Sequence, residues 1–237
     1  MLSGRRATLA VALSFLRGHM KTVVYVDGYN LYYGLLRRAN LKWLDLVSLF
    51  DNHVLDPQSE LIEVRYYTAP VLGRMCDDPA SPQRQRQYLQ ALKTLHNNRL
   101  KIIEGKIVAA TPHQRLVNPL PELPDLKRIQ VYDFKEKKTD VGLATDLLTG
   151  AWSNSFEQAV LCSNDTDFEP ALATVRRDHP KIRLGLVAPV ARGESRYISG
   201  DLKRHVHWSK TLSLVHVGNS QLPEKIPGTN IRRPDTW

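Results

Sequence analysis

The chain has 237 residues, of which 42% are hydrophobic, enough to bury a single α/β core. Its 33 Lys and Arg residues outnumber 24 Asp and Glu, and the net charge of +9 favours a polyanionic partner over an acidic protein or a neutral metabolite. The two cysteines, Cys76 and Cys162, predict neither a zinc site nor a disulfide framework, so a reducing cytoplasm fits.

The first nineteen residues form an apolar segment that superficially looks like a secretory signal. Arg5 and Arg6 precede the run ATLAVALSFL, but the run is too short to span a bilayer, Arg17 follows it, and no A-x-A cleavage pattern is present. We therefore predict that residues 1–19 are an extension, that the folded domain begins at Met20, and that the protein has no membrane partner. A helical appendage is the alternative.

The first third of the domain alternates strands and helices. The run TVVYV predicts a strand over 22–27, and a helix is predicted over 30–38. Asp45 is a predicted N-cap for a short helix over 46–50, and a second strand is predicted over 60–67. A long helix over 82–98 begins after Pro82 and carries an apolar stripe at helical spacing.

A Pro-rich excursion interrupts this alternation. It follows a predicted third strand over 100–108, and the segment IQVYDF lies on its far side. Apolar segments on either side of a turn-rich loop predict a protruding hairpin rather than a new domain. Its many Lys and Arg residues make this hairpin basic, and it is either a solvated loop or an arm that faces the substrate.

The second half returns to the alternation, with a helix over 140–149, a strand over 158–162, a helix over 167–177 and a strand over 181–188. Such a pattern predicts a mostly parallel sheet with right-handed crossovers. The main domain would cover 20–190, and a helix and a strand in 191–222, the strand over 212–217, would complete it. Residues 223–237 have little to bury and are predicted to be a mobile tail.

Acidic and amide side chains follow two of the predicted buried strands. Asp27 and Asn30 come after the first strand, and the segment SNDTD, residues 163–167, comes after the strand QAVLC. The carboxyl ends of parallel strands open on one crevice, where ligands bind in α/β sheets. Carboxylates crowded there repel one another unless a cation intervenes, so the pattern indicates Mg²⁺ or Mn²⁺ and an enzyme that acts on phosphate.

Three motifs, VYVDGYNLYYGLL, KKTDVGLATDLL and VLCSNDTDFEPAL, occur in that order. Together they resemble the NYN domain family, and within it the bacterial LabA-like branch, over roughly residues 21–189. The resemblance implies a PIN-like fold, a three-layer sandwich with a central sheet between helices, and a metal-dependent ribonuclease centre. On the matching positions it implies that the catalytic acids are Asp27, Asp140, Asp165 and Asp167, with Asn30 and Ser163 beside them.

The roles of these residues follow from their chemistry. We expect Asp27, Asp140 and Asp165 to hold Mg²⁺ or Mn²⁺, while Asp167 completes the shell or serves as a base. Polar neighbours would orient a carboxylate or bind phosphate: Asn30, Ser163 and Asn164. Asp146 lies six residues beyond Asp140, about 120° around the helix, so it need not face the same ion.

Two groups of residues are candidates for contact with RNA, either single-stranded or structured. Three lysines precede the acidic helix and could neutralise phosphates, or could simply form a solvated face: Lys135, Lys137 and Lys138. Three tyrosines at helical spacing could stack on bases, although packing against the sheet is the commoner role: Tyr29, Tyr32 and Tyr33.

Other interpretations remain open. Asp27, Asp140, Asp165 and Asp167 could serve only as helix caps or first-turn charges. Some NYN nucleases have two adjacent acids at the helix start, where this chain has Thr139 and Asp140, which leaves room for a non-catalytic RNA-binding or regulatory module. A phosphatase with Asp27 as nucleophile would need a second acid where Tyr29 stands. A homodimer is possible without any specific signal.

Overall fold

The computed structural model describes residues 19–118, 120–190 and 197–237. Apart from His19, the predicted N-terminal extension lies outside these residues. The strands of the described chain are β1 Met20–Asp27, β2 Ser59–Thr68, β3 Leu100–Glu104, β4 Lys106–Ala110, β5 His113–Arg115, β6 Arg128–Gln130, β7 Asp133–Lys137, β8 Gln158–Cys162, β9 Arg183–Ala188 and β10 Trp208–Thr211.

The α-helices lie mostly between the strands. They are α1 Gly28–Leu31, α2 Leu46–Leu49, α3 Ser81–His96, α4 Thr139–Trp152, α5 Glu169–Asp178, α6 Gly200–Lys203 and α7 Leu214–Asn219. α1 and α2 each continue into a π-helical turn, Tyr32–Leu36 and Phe50–Val54. Short 3₁₀ turns occupy Gly73–Met75 and Thr166–Phe168.

Six of these strands form a parallel sheet in the order β10-β9-β8-β1-β2-β3. The side chains of β1 alternate between its two faces, as the period of a strand requires. Val24 and Val26 pack with α3 and the helical turns after β1, whereas Val23 and Tyr25 pack with α4 and α5. The sheet is therefore the middle layer of three, which confirms the predicted α/β sandwich.

The strand order places a topological switch between β1 and β8. From β1 the chain crosses to β2 on one side, while β8 pairs with β1 on the other side. Ligands bind at such a point in open α/β sheets, because the connecting segments diverge and leave a crevice. Val26 pairs with Cys162, so the next residues, Asp27 and Ser163, leave the sheet side by side.

The basic excursion is a pair of antiparallel ribbons, as predicted. β4 pairs with β7, and further out β5 pairs with β6. The predicted strand over 100–108 divides at Gly105, where β3 leaves the main sheet and β4 begins. A Cβ at this position would lie 2.6 Å from the carbonyl oxygen of Lys137, so only glycine fits the close approach of the two segments.

Two predicted elements differ in the structure. The strand predicted over 212–217 is wrong: β10 ends at Thr211, and Ser213 caps α7 by accepting a hydrogen bond from the backbone N–H of Val215. The helix predicted over 30–38 begins earlier, at Gly28, because the side chain of Asp27 caps it. These short segments carry too few turns for hydrophobic periodicity to distinguish helix from strand.

Residues 223–237 pack against the domain, which corrects the expectation that they have little to bury. Ile226 is fully buried, and the ring of Trp237 lies 6.4 Å from that of Trp43 and 5.7 Å from that of Tyr88. The indole N–H of Trp43 also donates to the carbonyl oxygen of Pro223. Three apolar side chains of this polar segment pack on the core: Ile226, Ile231 and Trp237.

None of the helices in the described ranges combines the length and the apolar character needed to cross a bilayer.

Candidate functional site

Asp27 lies at the carboxyl end of β1 and is buried, with 7% of its surface exposed. One carboxylate oxygen accepts a 2.9 Å hydrogen bond from the backbone N–H of Asn30, and the other accepts a 2.9 Å hydrogen bond from the hydroxyl of Ser163. Burial raises the pKa of Asp27 to about 6; these two hydrogen bonds oppose the rise, and the charges of Asp140 and Asp165 add to it.

Glycine is required immediately after this acid. A Cβ on Gly28 would lie 2.5 Å from the carbonyl oxygen of Tyr67 and 2.8 Å from the ring of Tyr66. The first turn of α1 can therefore sit directly on β2 only with glycine at this position. The Asp-Gly pair fixes the direction in which the chain leaves β1, and with it the position of the Asp27 carboxylate.

A second set of hydrogen bonds holds the loop after β8 against the first helix. The side-chain oxygen of Asn30 accepts from the backbone N–H of Asn164 at 3.0 Å, and the hydroxyl of Ser163 accepts from the N–H of Asp165 at 3.1 Å. The Asn164 side chain in turn bonds the backbone of Tyr197 and Ser199. The predicted supporting residues thus position the acidic loop.

Asp165 and Asp167 occupy the turn that this loop enters. Asp165 is half-buried and Asp167 is exposed. One carboxylate oxygen of Asp165 accepts from the backbone N–H of Asp167 at 3.1 Å. Asp165 is therefore an N-cap, which is the capping role that the sequence analysis left open. Since a carboxylate has two oxygens, this cap leaves the other oxygen free of that role.

Asp140 stands in the first turn of α4. Desolvation raises its pKa, and the charges of Asp165 and Asp167 raise it further. Asp140 and Asp165 also act on Asp27. The fold therefore brings acids from all three sequence motifs within electrostatic range of Asp27 or Asp140, which none of the capping roles requires.

Asp146 belongs to a different environment. Its carboxylate accepts a 2.7 Å hydrogen bond from the hydroxyl of Tyr67. It is not among the charges that shift the pKa of Asp27 or of Asp140. The geometry agrees with the helical rotation that separates Asp146 from Asp140.

Glu136 on β7 is a further acid that the sequence reasoning missed. Burial raises its pKa to about 7; a hydrogen bond with Thr139 opposes the rise, and the charges of Asp140 and Asp27 add to it. One of its carboxylate oxygens is buried without a hydrogen-bond partner. In the sequence Glu136 lies between two lysines, which made the segment look uniformly basic. The alternation of a strand is the signal that could have identified it, because Lys135 and Lys137 are exposed and Glu136 is half-buried.

The predicted lysines lie along the rim formed by β7 and its end. All three are exposed: Lys135, Lys137 and Lys138. Lys135 pairs with Asp133 at 3.0 Å. Lys138 has a φ of 83°, and its carbonyl oxygen accepts from the N–H of Gly142, which starts α4 next to Asp140. The basic residues therefore border the acids directly.

Two cavities flank the first helix. One, of about 360 Å³, includes Asn30 and Asn164 in its wall. The other, of about 380 Å³, includes Gly28, Tyr29 and Tyr66 and is called the aromatic cavity below. The ring of Tyr33 packs on two other tyrosines: its centroid lies 5.8 Å from that of Tyr29 and 5.1 Å from that of Tyr32.

The acids fit a hard divalent cation in their chemistry but do not form a finished ligand set. Mg²⁺ or Mn²⁺ would find carboxylate oxygens as ligands here, and its charge would offset the repulsion between the carboxylates. Across residues 19–118, 120–190 and 197–237, however, no three His, Cys, Asp or Glu side chains are close enough together to hold a metal ion as they stand. A bound ion would require the carboxylates to move closer to one another.

Comparison with a family model agrees with this fold. The model of the NYN domain family matches residues 21–206. The 6-hydroxy-3-succinoylpyridine 3-monooxygenase HspA of Pseudomonas putida (strain DSM 28022 / S16) is 33% identical over 239 aligned positions, covering 92% of this chain and 75% of HspA. A protein of unknown function from Vibrio parahaemolyticus RIMD 2210633 superposes with a TM-score of 0.47 at 17% identity, covering 82% of this chain and 93% of its own.

Proposed function

We infer that this chain, which belongs to the NYN domain family of PIN-like, nuclease-type hydrolases, is a metal-dependent ribonuclease. Its proposed reaction is the hydrolysis of RNA phosphodiester bonds. The observation that carries this proposal is the convergence of Asp27, Asp140 and Asp165 on the crevice between β1 and β8. Burial and the charges of Asp140 and Asp165 raise the pKa of Asp27, and functional sites are where acids perturbed in this way gather.

The proposed centre uses the three acids as ligands. Asp27, Asp140 and Asp165 would hold Mg²⁺ or Mn²⁺. When bound, such an ion supplies positive charge for the scissile phosphate and lowers the pKa of a water. Ser163 and the N–H of Asn30 keep the Asp27 carboxylate in place, and Asp167, which is exposed at the crevice, would accept the proton of the attacking water.

Glu136 places a carboxylate near the position where the second motif lacks an acid. Where some relatives carry two adjacent acids, this chain has Thr139, which is buried and hydrogen-bonded to Glu136. Glu136 thus brings a carboxylate to the same end of α4 from a neighbouring strand. This supports an enzyme over the alternative of a non-catalytic RNA-binding module. An aspartyl-phosphate mechanism is less favoured, because Asp27 is buried and both its oxygens accept hydrogen bonds.

RNA is the proposed partner, single-stranded or structured. Lys137 and Lys138 border the acids and would neutralise phosphates flanking the cleaved bond. A cytoplasmic location, a place in the LabA-like branch and a possible homodimer remain predictions of the sequence.

The test is cleavage of an end-labelled RNA of mixed sequence by the full chain, with Mn²⁺ or with EDTA. Wild-type protein should cleave only with Mn²⁺, and Asp27→Asn, which changes the charge at nearly constant volume, should lose at least about a hundredfold in rate. Asp146→Asn is the matched control and should cleave normally, since Asp146 bonds Tyr67 away from the acids. RNA binding without cleavage would support the non-catalytic module instead.

A second candidate function comes from HspA, whose name describes a monooxygenase that acts on a hydroxylated succinoylpyridine. The 33% identity over 92% of this chain is the observation in its favour. The full chain would be incubated with 6-hydroxy-3-succinoylpyridine, a two-electron reductant and O₂, and oxygen uptake would be compared with product mass. Substrate-dependent uptake with an oxygenated product would replace the ribonuclease proposal.

A further inference from the structure

The aromatic cavity has the dimensions of a small-molecule site. Its volume is about 380 Å³, within the range of pockets that enclose small ligands. Rings from four separate parts of the chain line it: Tyr29 and Tyr32, Tyr66, Tyr88, and Trp237. Trp237 comes from the segment that packs back onto the domain, so this segment forms one wall. Flat aromatic walls on several sides favour a planar ligand.

Two cations share the cavity with these rings. Lys42 and Arg84 both line it, and Asp78 is the acid that also does so. Asp78 is engaged by Arg84, through a side-chain hydrogen bond of 2.5 Å. The ammonium of Lys42 donates to the carbonyl oxygen of Ala39. The lining therefore carries one positive charge more than its acid balances.

Burial and the neighbouring Arg84 charge lower the pKa of Lys42. An anion between the two cations would offset that repulsion and would form charge-assisted hydrogen bonds with both. A carboxylate has two acceptor oxygens and a negative charge, so it can accept from both cations at once.

Two polar atoms in the lining residues lack partners. The hydroxyl of Tyr29 and the Nε of Arg84 are buried and make no hydrogen bond. Buried polar groups are nearly always paired, and an unpaired one indicates a missing water, ion or ligand. Both atoms are donors on side chains that line the cavity. The Tyr29 hydroxyl lies within the electrostatic influence of Glu136, so an acceptor bound at Lys42 and Arg84 would pair with the Nε of Arg84.

The aromatic cavity also adjoins the acidic site. Gly28, which follows Asp27, is part of its wall, and the Tyr66 hydroxyl lies within the electrostatic influence of Asp27 and Glu136. These acids disfavour an anionic group at that end of the cavity. The cations Lys42 and Arg84 therefore determine the orientation of an amphiphilic ligand, whose charged end would lie next to them.

We propose that the aromatic cavity binds a small planar aromatic molecule carrying a carboxylate, with the ring among Tyr29, Tyr66 and Trp237 and the carboxylate at Lys42 and Arg84. This site stands apart from RNA cleavage and does not depend on it. A nucleobase is the competing occupant, but a base is uncharged and leaves the excess positive charge of the lining unmatched.

The test is isothermal titration calorimetry of the full chain with four probes, in EDTA and without RNA, so that its outcome is independent of cleavage. Benzoate is the probe of the proposed chemistry, benzamide lacks the charge, cyclohexanecarboxylate lacks the aromatic ring, and uridine monophosphate represents a nucleotide. Benzoate should bind at least about tenfold more tightly than the other three, because only benzoate meets both the rings and the cations.

Variants locate the binding. Lys42→Gln and Arg84→Gln should each weaken benzoate by about tenfold or more, and Tyr29→Phe, which deletes only the unpaired hydroxyl, should weaken it less. Arg86→Gln is the matched control, on the same helix and exposed outside the cavity, and should bind normally. No binding of benzoate, equal binding by the Lys42 and Arg84 variants with circular dichroism unchanged, or tighter binding of uridine monophosphate would each overturn the proposal.

Discussion

The hydroxyl of Ser163 donates a 2.9 Å hydrogen bond to the carboxylate of Asp27, across 136 positions of the chain. The bond is possible because β1 and β8 are neighbours and Val26 pairs with Cys162. Ser163 also accepts from the N–H of Asp165, so one side chain connects two acids that come from different strands. The geometry of the acidic site is thus tied to the pairing of the two central strands.

Ser163→Ala should therefore disturb both the fold and the acids. It leaves the half-buried N–H of Asp165 and one oxygen of the buried Asp27 without a partner, at a cost of about 1–3 kcal/mol in the free energy of unfolding. Urea denaturation near neutral pH measures this loss. Ser155→Ala, at an exposed serine, should change stability little. Equal stability of the two variants would contradict the structural role of Ser163.

Asp27→Asn should make the metal-free protein more stable at about pH 8. The folded-state pKa of Asp27 is raised to about 6, so its protonated form is favoured in the fold and the stability it confers is lost as the pH rises through that value. The amide removes the buried charge, which corresponds to a gain of about 3 kcal/mol at pH 8. Denaturation in EDTA at about pH 8 and pH 4 tests this: the gain should disappear at the lower pH.

The stability of the protein should depend on the ionisation of Glu136 in the same way, at a higher pH. Its pKa is raised to about 7, above the value of an unfolded chain, so the protein without metal should lose stability as the pH rises from about 5 to 8. Glu136→Gln should reduce this slope. The exposed Glu122 on the outer hairpin serves as control, because Glu122→Gln should leave the slope unchanged. Asp27 also contributes to this slope, so it is a slope unchanged by Glu136→Gln that would contradict the raised pKa of Glu136.

The sequence was most informative where one local rule decides the structure. The buried run of β1 ended at an acid as predicted, and Asp45 caps α2 through the backbone N–H of Ser48. The acids at the strand ends met because parallel strands share a carboxyl edge. All of these follow from patterns within a few residues and from one rule of sheet topology.

The remaining features depend on contacts that no local pattern encodes. The segment over 223–237 is polar, yet Ile226 and Trp237 find partners near Trp43, far away in the chain. Glu136 turned inward because β7 pairs with β4, a pairing that only the folded hairpin defines. The helix α7 was mistaken for a strand because its few apolar residues satisfy both periods.

The lysines at the rim should contribute to RNA affinity through charge. Replacing Lys135, Lys137 and Lys138 together by Gln should weaken binding of an unstructured RNA and reduce the slope of log affinity against log salt by about 2, for three contacts on a single strand. Asp27→Asn protein in EDTA allows the titration without cleavage. Replacing Lys181, Lys203 and Lys225, three lysines outside the hairpin, is the control for net charge. Equal loss in both triple variants would indicate a diffuse effect rather than a binding rim.

The most direct test of the acidic centre is the number of Mn²⁺ ions bound at neutral pH, counted by electron paramagnetic resonance of the unbound ion. Wild-type protein should bind an ion at the acids, and Asp140→Asn should weaken it by about tenfold or more, since it removes one of the proposed carboxylate ligands. Asp146→Asn, on the same helix but bonded to Tyr67, should bind as wild type does. No bound Mn²⁺ in the wild type, or the same affinity in Asp140→Asn, would contradict a metal centre at this edge of the sheet.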